Sequence, residues 1–302
     1  MQAQKFVIIN GDDFGFSHGV NQAIIKAHQE GVLTSTSLMV TGEAFDEAVE
    51  LARAHPTLAV GLHLVLVCGR AALPPSQIPH LVDSAGNFPY SAPRSGLCYQ
   101  FIQATHEELR REIRTQLEKF RSSGLRLSHV DGHLHMHVHP VVLRILVDLA
   151  DEFGIRIIRL PHEELGISLR LDRRNLLTKL VWAGVFGRLR RYGEGLLKSK
   201  GIGFAERVYG LLQTGSITEE YLLGLIPQIE ANLVEIYCHP AVMISGEPLN
   251  APPGAGEAEL AALLSGRVGE MLAVKGFELT NFEKGVSLLN LNLSESIHIL
   301  ER

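Results

Sequence analysis

The sequence predicts an α/β fold whose mainly parallel sheet is closed, or nearly closed, into a (β/α) barrel of the TIM type. Three observations lead there. Strand-like apolar runs alternate with helical patterns throughout the 302-residue chain, and no internal repeat or long linker interrupts them. With 46% hydrophobic residues the chain can fill one large core, so residues 1–302 are read as one domain. Finally, polar side chains that suit a metal fall at the ends of the strand-like runs, where such a barrel carries its functional groups.

Phe6-Val7-Ile8-Ile9 is the first strand, ending in Asn10-Gly11-Asp12-Asp13-Phe14-Gly15. A helix from Ser17 to Glu30 follows, with Val20, Ile24, Ile25 and Ala27 at helical spacing. Thr34–Val40 reads as the second strand, Glu43–Ala54 as a helix, and Leu58–Leu66 as a third strand with His63 inside its apolar run. Residues 69–95, rich in Pro, Gly and Ser, form a long irregular connection. After a helix over Glu107–Ser122 the chain enters a His-rich tract as its fourth strand, and Pro140 opens the next helix. Ile155–Pro161 is the fifth strand. Glu206–Tyr209 is strand-like, Thr218–Asn232 helical, and Leu233–Cys238 a further strand that leads into His239-Pro240. A Pro/Gly loop through Gly256, a helix over Glu257–Ala273 and a last strand, Phe277–Phe282, complete the pattern.

Residues 165–207 differ in composition and read as a basic amphipathic helical insertion. Arg170, Arg173, Arg174, Lys179, Arg188, Arg190, Arg191, Lys198, Lys200 and Arg207 face only Asp172, Glu194 and Glu206. This is a local excess of seven positive charges in a chain whose net charge is −5. One reading is an outer helix with a solvated charged face. The other is peripheral association with an anionic membrane at its inner, cytoplasmic face, with Trp182 and Phe186 entering the interface. The global charge supplies no argument for nucleic acid. Cys68, Cys98 and Cys238 are odd in number and form no CxxC pair, against a disulfide framework or a zinc knuckle. Met1–Lys5 leads into the first strand without a basic-then-apolar leader, and no apolar run has transmembrane length. The expected compartment is the reducing cytoplasm.

In the tract Ser128–His139, His129, Asp131, His133, His135, His137 and His139 occupy alternate positions. In a strand these share one face. A His-rich tract has bland readings, as a loose surface metal trap or as hydrogen-bonded core histidines. A regular cluster that includes an aspartate favours a metal site. One ion takes only about three or four protein ligands, so the others must come from elsewhere in the chain. Asp12 and Asp13 end the first strand, His63 the third, His133 the fourth and His239 roughly the seventh. Taken singly, a helix-capping turn explains the aspartates, a satisfied core imidazole His63, and a strand-end turn His239. Four strands delivering such groups to one rim are harder to explain separately. Adjacent aspartates would point to opposite faces of a regular strand, so Gly11 and Gly15 would allow the departure that brings both to one site. One carboxylate could then bind a metal while its neighbour takes a proton from an activated water.

The motifs Asn10-Gly11-Asp12-Asp13-Phe14-Gly15, Gly61-Leu62-His63-Leu64, His129-Val130-Asp131-Gly132-His133-Leu134-His135 and Tyr237-Cys238-His239-Pro240-Ala241 resemble, in order, those of the YdjC-like carbohydrate deacetylases. Several stretches resemble more narrowly the hopanoid-biosynthesis-associated branch: Gly61 to Pro75, Leu81-Val82-Asp83 with Gly86 and Phe88, Val208-Tyr209-Gly210-Leu211, and Glu235-Ile236-Tyr237. The resemblance implies a distorted seven-stranded barrel that hydrolyses an acetamido sugar, with an N-acetylglucosaminyl hopanoid as the substrate of that branch. It implies one divalent ion (Zn, Mg, Mn or Co) on Asp13, His63 and His133, with Asp12 as general base and His239 as general acid. Asp131, His135 and Arg159 would support the ligands or face the substrate, and His137 and His139 would leave the site. Gly132 departs from the Ser or Ala of the family pattern, which predicts a looser backbone beside His133. The alternatives are a metal phosphoesterase or amidohydrolase, whose first strand usually ends in His-x-His, and a non-catalytic carbohydrate or metal binder. The oligomeric state stays open, with a homodimer among the options.

Overall fold

The computed structural model describes residues 4–285. Seven strands, β1 (Lys5–Phe14), β2 (Ser35–Leu38), β3 (Ala59–Leu64), β4 (Val130–Gly132), β5 (Arg207–Tyr209), β6 (Leu233–Cys238) and β7 (Phe277–Thr280), form one sheet. Their order is β4-β3-β2-β1-β6-β5, and every pairing is parallel. β7 pairs with Lys5–Ile8, the first half of β1, and β2 with its second half from Asn10 onward. All strands therefore end at the same rim, where the sequence places its candidate residues.

Among the described residues the expected closed or nearly closed barrel is regular over part of its circumference only. Between β4 and β5 the predicted fifth strand, Ile155–Pro161, is reduced to isolated parallel bridges, Val130 with Ile158 and Ile157 with Gly203. The wall continues there, but without a regular ladder.

Alternation along the strands explains what lies inside. Ile8, Asn10 and Asp12 share one face of β1, and Leu233, Glu235 and Tyr237 share one face of β6. Ile8, Leu233, Ile157 and Phe282 pack together at the N-terminal end of this inner face. Above them, Asn10 Nδ2 donates to Ser37 Oγ at 2.8 Å, and the His129 ring stacks on Phe282 with centroids 3.7 Å apart. The top layer is Asp12, His63, Asp131, Arg159 and Glu235, all buried. The interior thus grades from apolar to ionic along the strand direction. Outside it, the main apolar core joins the other strand faces to the surrounding helices.

The helices follow their sequence signals with local corrections. Ser17 caps Val20 N at the start of His18–Glu30, and Pro140 opens Pro140–Phe153, which Gly154 ends in a left-handed conformation. The helix expected over Thr218–Asn232 covers only Glu219–Leu225, with a 3-10 turn at Ile226–Gln228 around Pro227. The helix expected over Glu257–Ala273 is two, Ala255–Leu264 and Gly266–Val274, broken at Ser265. Phe277–Phe282 is a strand only to Thr280. A helix at Ala92–Phe101 begins inside the stretch read as irregular and runs beyond it. The basic segment forms Leu165–Leu171 and Leu176–Lys198. No described helix is long and apolar enough to cross a membrane.

Gly61 leaves room for the inner layer. A Cβ there would lie 2.4 Å from Cε1 and Nδ1 of the buried His129 ring, which is itself stacked on Phe282. Gly61→Ala is therefore an overpacking change, and urea denaturation is expected to show a loss of about 1–3 kcal/mol.

Candidate active site

Asp12 and Asp13 reach the same end of the sheet because β1 breaks its register. Its pairing with β2 shifts between Gly11 and Phe14, and Asp13 has φ +67°. The sequence suggested that Gly11 and Gly15 would provide this freedom. Gly15 does take a positive φ, +88°, but Gly11 keeps regular pairing and the left-handed residue is Asp13 itself. A non-glycine residue in that region costs on the order of 1–3 kcal/mol, least for Asp and Asn. The kink separates the two carboxylates. Asp12 stays with Asn10 on the inner face, and Asp13 turns to His63 and His133.

Two imidazole nitrogens converge on one oxygen of Asp13. His63 Nε2 lies 3.2 Å and His133 Nδ1 3.1 Å from Oδ1, while Asn250 Nδ2 donates to Oδ2 at 3.1 Å. Register places His63 beside Asp131, and His63 Nδ1 donates to Asp131 Oδ1 at 2.8 Å. A carboxylate only accepts, so Asp131 fixes the proton of a neutral His63 on Nδ1. Its Nε2 lone pair then faces the Asp13 carboxylate, which is repulsive unless a cation or a second proton lies between. Burial pulls the His63 pKa down, but Asp131 and Asp13 prevail and hold it up to about 10. Burial would likewise raise the Asp13 carboxyl, yet His133 and His63 keep it well below the usual carboxylate range. Asp13, His63 and His133 present one ligand atom each within 4.8 Å of one another. Two imidazoles and a carboxylate suit a first-row divalent ion and leave coordination positions open. The donor set fits a metal.

Arg159 organises the layer around this trio. Nη1 donates to Asp12 Oδ2 at 2.7 Å and Nη2 to Asp12 Oδ1 at 2.7 Å. Nη2 also lies 2.8 Å from Asp131 Oδ2, and Nε donates to Glu235 Oε1 at 2.7 Å. Ser37 Oγ donates to Asp131 Oδ2 at 2.6 Å. Burial pushes the Glu235 carboxyl up to about 7 against the pull of Arg159.

The His-rich tract is a strand only as far as Gly132. His133–Val138 forms a 3-10 turn in which Leu134 and His135 take φ +48° and +56°, so the six alternate polar groups do not share a face. His129 and Asp131 stay inside the sheet, and His133 leads the turn towards Asp13. His135 and the Tyr237 hydroxyl share a hydrogen bond of 2.8 Å. His137 Nε2 donates to the Arg159 carbonyl at 3.0 Å, and His139 packs edge-on to Tyr99; neither lines the cavity. Gly132 is not loose: it is extended, φ −177°, and a Cβ would lie 2.9 Å from the Leu64 carbonyl oxygen and 3.2 Å from His137 Cβ.

A cavity of about 530 Å³ opens over these groups. Asp12, His63, His133, His135 and His239 line it, together with Tyr237, Asn250, Tyr90, Trp182 and Phe186. His239 follows β6, the sixth strand, and its backbone N–H donates to Glu259 Oε2 at 2.5 Å. Sequence reasoning passed over Glu235, Tyr237, Asn250, Ser37 and Glu259 as site groups. Glu235, a charge within an apolar strand, was the one with a readable signal.

The fold and the cavity together define an α/β protein with an acid–imidazole cluster, suited to a divalent ion, at the C-terminal rim of a parallel sheet. The chain belongs to the YdjC-like protein family, whose sequence profile matches residues 6–274. It is 32% identical over 288 residues to a carbohydrate deacetylase of Geobacillus stearothermophilus, covering 93% of this chain and 98% of that protein. To a carbohydrate deacetylase of Brevibacillus brevis it is 46% identical over 173 residues, 57% of this chain and 65% of the relative. A solved Enterococcus faecalis structure, described as a candidate cellobiose-phosphate cleavage protein, superposes with a TM-score of 0.74 at 28% identity. It covers 93% of this chain and 99% of that one.

The His63 pKa sets a test of the trio. Its raised value stabilises the ion-free protein fully below the ordinary imidazole value of 6.5, and that contribution is lost as pH rises through about 10. Between those limits an entering cation must displace the proton. Zinc added to chelator-treated protein at pH 8 is expected to release about one proton per ion, read by calorimetry in buffers of different ionisation enthalpy. Asp13→Asn should weaken zinc uptake; unchanged uptake would place the ion elsewhere.

Proposed function

We propose that the protein is a metal-dependent hydrolase that removes the N-acetyl group from an acetamido sugar. The observation that carries this reading is the convergence of His63 and His133 on Asp13 beside Asp12, in one cavity. The full-length similarity to a carbohydrate deacetylase supports the chemistry. Asp13, His63 and His133 would hold the divalent ion, which supplies Lewis-acid polarisation of the amide carbonyl and a more acidic water.

The chain's own residues do the rest. Asp12, held at both oxygens by Arg159, accepts the proton of the attacking water. His239, across the cavity at the end of β6, protonates the departing amine so that it leaves as a neutral group. Asp131 keeps the His63 proton on Nδ1 and its Nε2 towards Asp13. Tyr237, which shares a hydrogen bond with His135, offers a phenol to substrate hydroxyls, and burial keeps it protonated by holding its pKa well above the ordinary value.

For the group attached to the sugar we favour a lipid, the N-acetylglucosaminyl hopanoid that the branch resemblance implies. Tyr90, Leu134 and Trp182 line the cavity and are all solvent-exposed, an apolar margin that suits an aglycone with hydrocarbon character. Mass spectrometry of products from matched lipid-linked and soluble N-acetylglucosamine substrates tests this choice. Equal turnover of both would argue against a lipid preference.

The expected reaction is acetate release that chelators abolish and a divalent ion restores. Asp12→Asn should keep zinc uptake and lower kcat by about 10²–10⁴-fold, and His239→Asn should lower it comparably. Phosphate release from a phosphoester without acetate release would favour the phosphoesterase alternative. Unchanged substrate after long incubation would favour a binding protein.

A further inference from the structure

The basic insertion contributes Trp182 and Phe186 to the cavity, but its other side has no role in that site. In the helix Leu176–Lys198, the buried residues Lys179, Phe186, Arg190 and Gly193 lie on one face. Positions 177, 181, 184, 188 and 191, spaced four, three, four and three, lie on the opposite face. These are Leu177, Val181, Gly184, Arg188 and Arg191, all exposed. Leu177 is 76% and Val181 57% accessible, and Leu180 and Val185 beside them 46% and 44%. Such a run of exposed aliphatic side chains on one stripe is unusual for a helix surrounded by water.

Charge flanks the stripe. Arg188 and Arg191 continue it at one end, and exposed Arg173 stands before the helix at the other. Several other bases of the insertion are already paired: Arg174 and Lys179 with Asp172, Arg190 with Glu194, and Arg207 with Glu164. The arginines at the two ends of the apolar stripe are thus among those left for an external anion. An aliphatic centre between cationic ends matches a bilayer surface, with hydrocarbon beneath a layer of anionic headgroups.

We propose that the outer face of Leu176–Lys198 docks on an anionic phospholipid bilayer and holds the cavity mouth beside the membrane. Trp182, on the flank of the same helix, lies between the docking stripe and the cavity wall. The usefulness of this arrangement rests on the reading of a lipid-linked substrate; the surface itself does not.

Co-sedimentation of the full chain with vesicles tests the proposal. Binding is expected to vesicles of phosphatidylcholine with phosphatidylglycerol, to fall with rising salt, and to be much weaker with phosphatidylcholine alone. Arg188→Gln and Arg191→Gln should each weaken it about fivefold. The Leu177→Glu, Val181→Glu double variant should abolish it, while circular dichroism and acetate release from a soluble acetamido sugar stay unchanged. Absence of binding to the anionic vesicles, or binding that neither salt nor the double variant affects, overturns the proposal. A dimer that the double variant dissolves, without vesicle binding by the parent, also overturns it and assigns the stripe to a second copy of the chain. Vesicle binding without any acetate release would leave docking in place and remove the deacetylase reading; acetate release without vesicle binding would do the reverse.

Discussion

The structure depends on one buried guanidinium. Arg159 sits on the part of the wall where the regular ladder fails, tied by its backbone N–H to the Val130 carbonyl at 3.0 Å and by single bridges on either side. Its side chain reaches Asp12 on β1, Asp131 on β4 and Glu235 on β6. It therefore cross-links the interior of the sheet where backbone hydrogen bonds are sparse. A planar fork with five N–H donors can serve three carboxylates at once, which the point charge of a lysine cannot. Removing one partner of such a buried cluster costs about 3–5 kcal/mol, because the remaining charges are left without compensation. The stacked Tyr237 ring, 4.7 Å from the guanidinium, closes the layer on the cavity side.

The second constraint is the kink at Asp13. A regular strand would point one of two adjacent aspartates away from the inner face, into the helical layer. The left-handed conformation at Asp13 turns its carboxylate instead towards two imidazoles, and the attraction of those groups offsets the backbone strain. Asp12 is left to Arg159. Neighbouring, chemically identical side chains thus occupy different electrostatic environments, one facing imidazoles and one a guanidinium. That difference of environment follows from the backbone and not from the side-chain type.

Much of this was legible in the sequence, and for a specific reason. Parallel strands all end at one rim, so polar residues that terminate apolar runs must meet; Asp12, Asp13, His63, His133 and His239 obey that rule. The alternation of histidines after Ser128 misled because a period of two is shared by a strand and by a chain that stops being one. Nothing local announces that Leu134 and His135 adopt positive φ. The turn lies between Gly132, paired with Leu64 at the end of β4, and His137, bonded to the Arg159 carbonyl, and both of these contacts are distant in sequence. The failing fifth strand was equally invisible, because Ile155–Pro161 has the composition of a buried strand. Asn250 lies in a loop whose sequence carries no periodic signal. Pro227 and the Ser265-Gly266 pair, by contrast, were readable as helix breaks.

The hydrogen bonds of Asp12 bear on the role of base proposed for it. A carboxylate has about four acceptor sites. Arg159 and Asn10 Nδ2 use both on Oδ1, and Arg159 uses one on Oδ2. Among the described residues one site remains, on Oδ2, which leaves a single direction of approach to Asp12. The ion pair that removes the other options also restricts rotation of the carboxylate. Reach and direction, which a flexible surface aspartate would have to find by chance, are here built into the same contact that holds the sheet together.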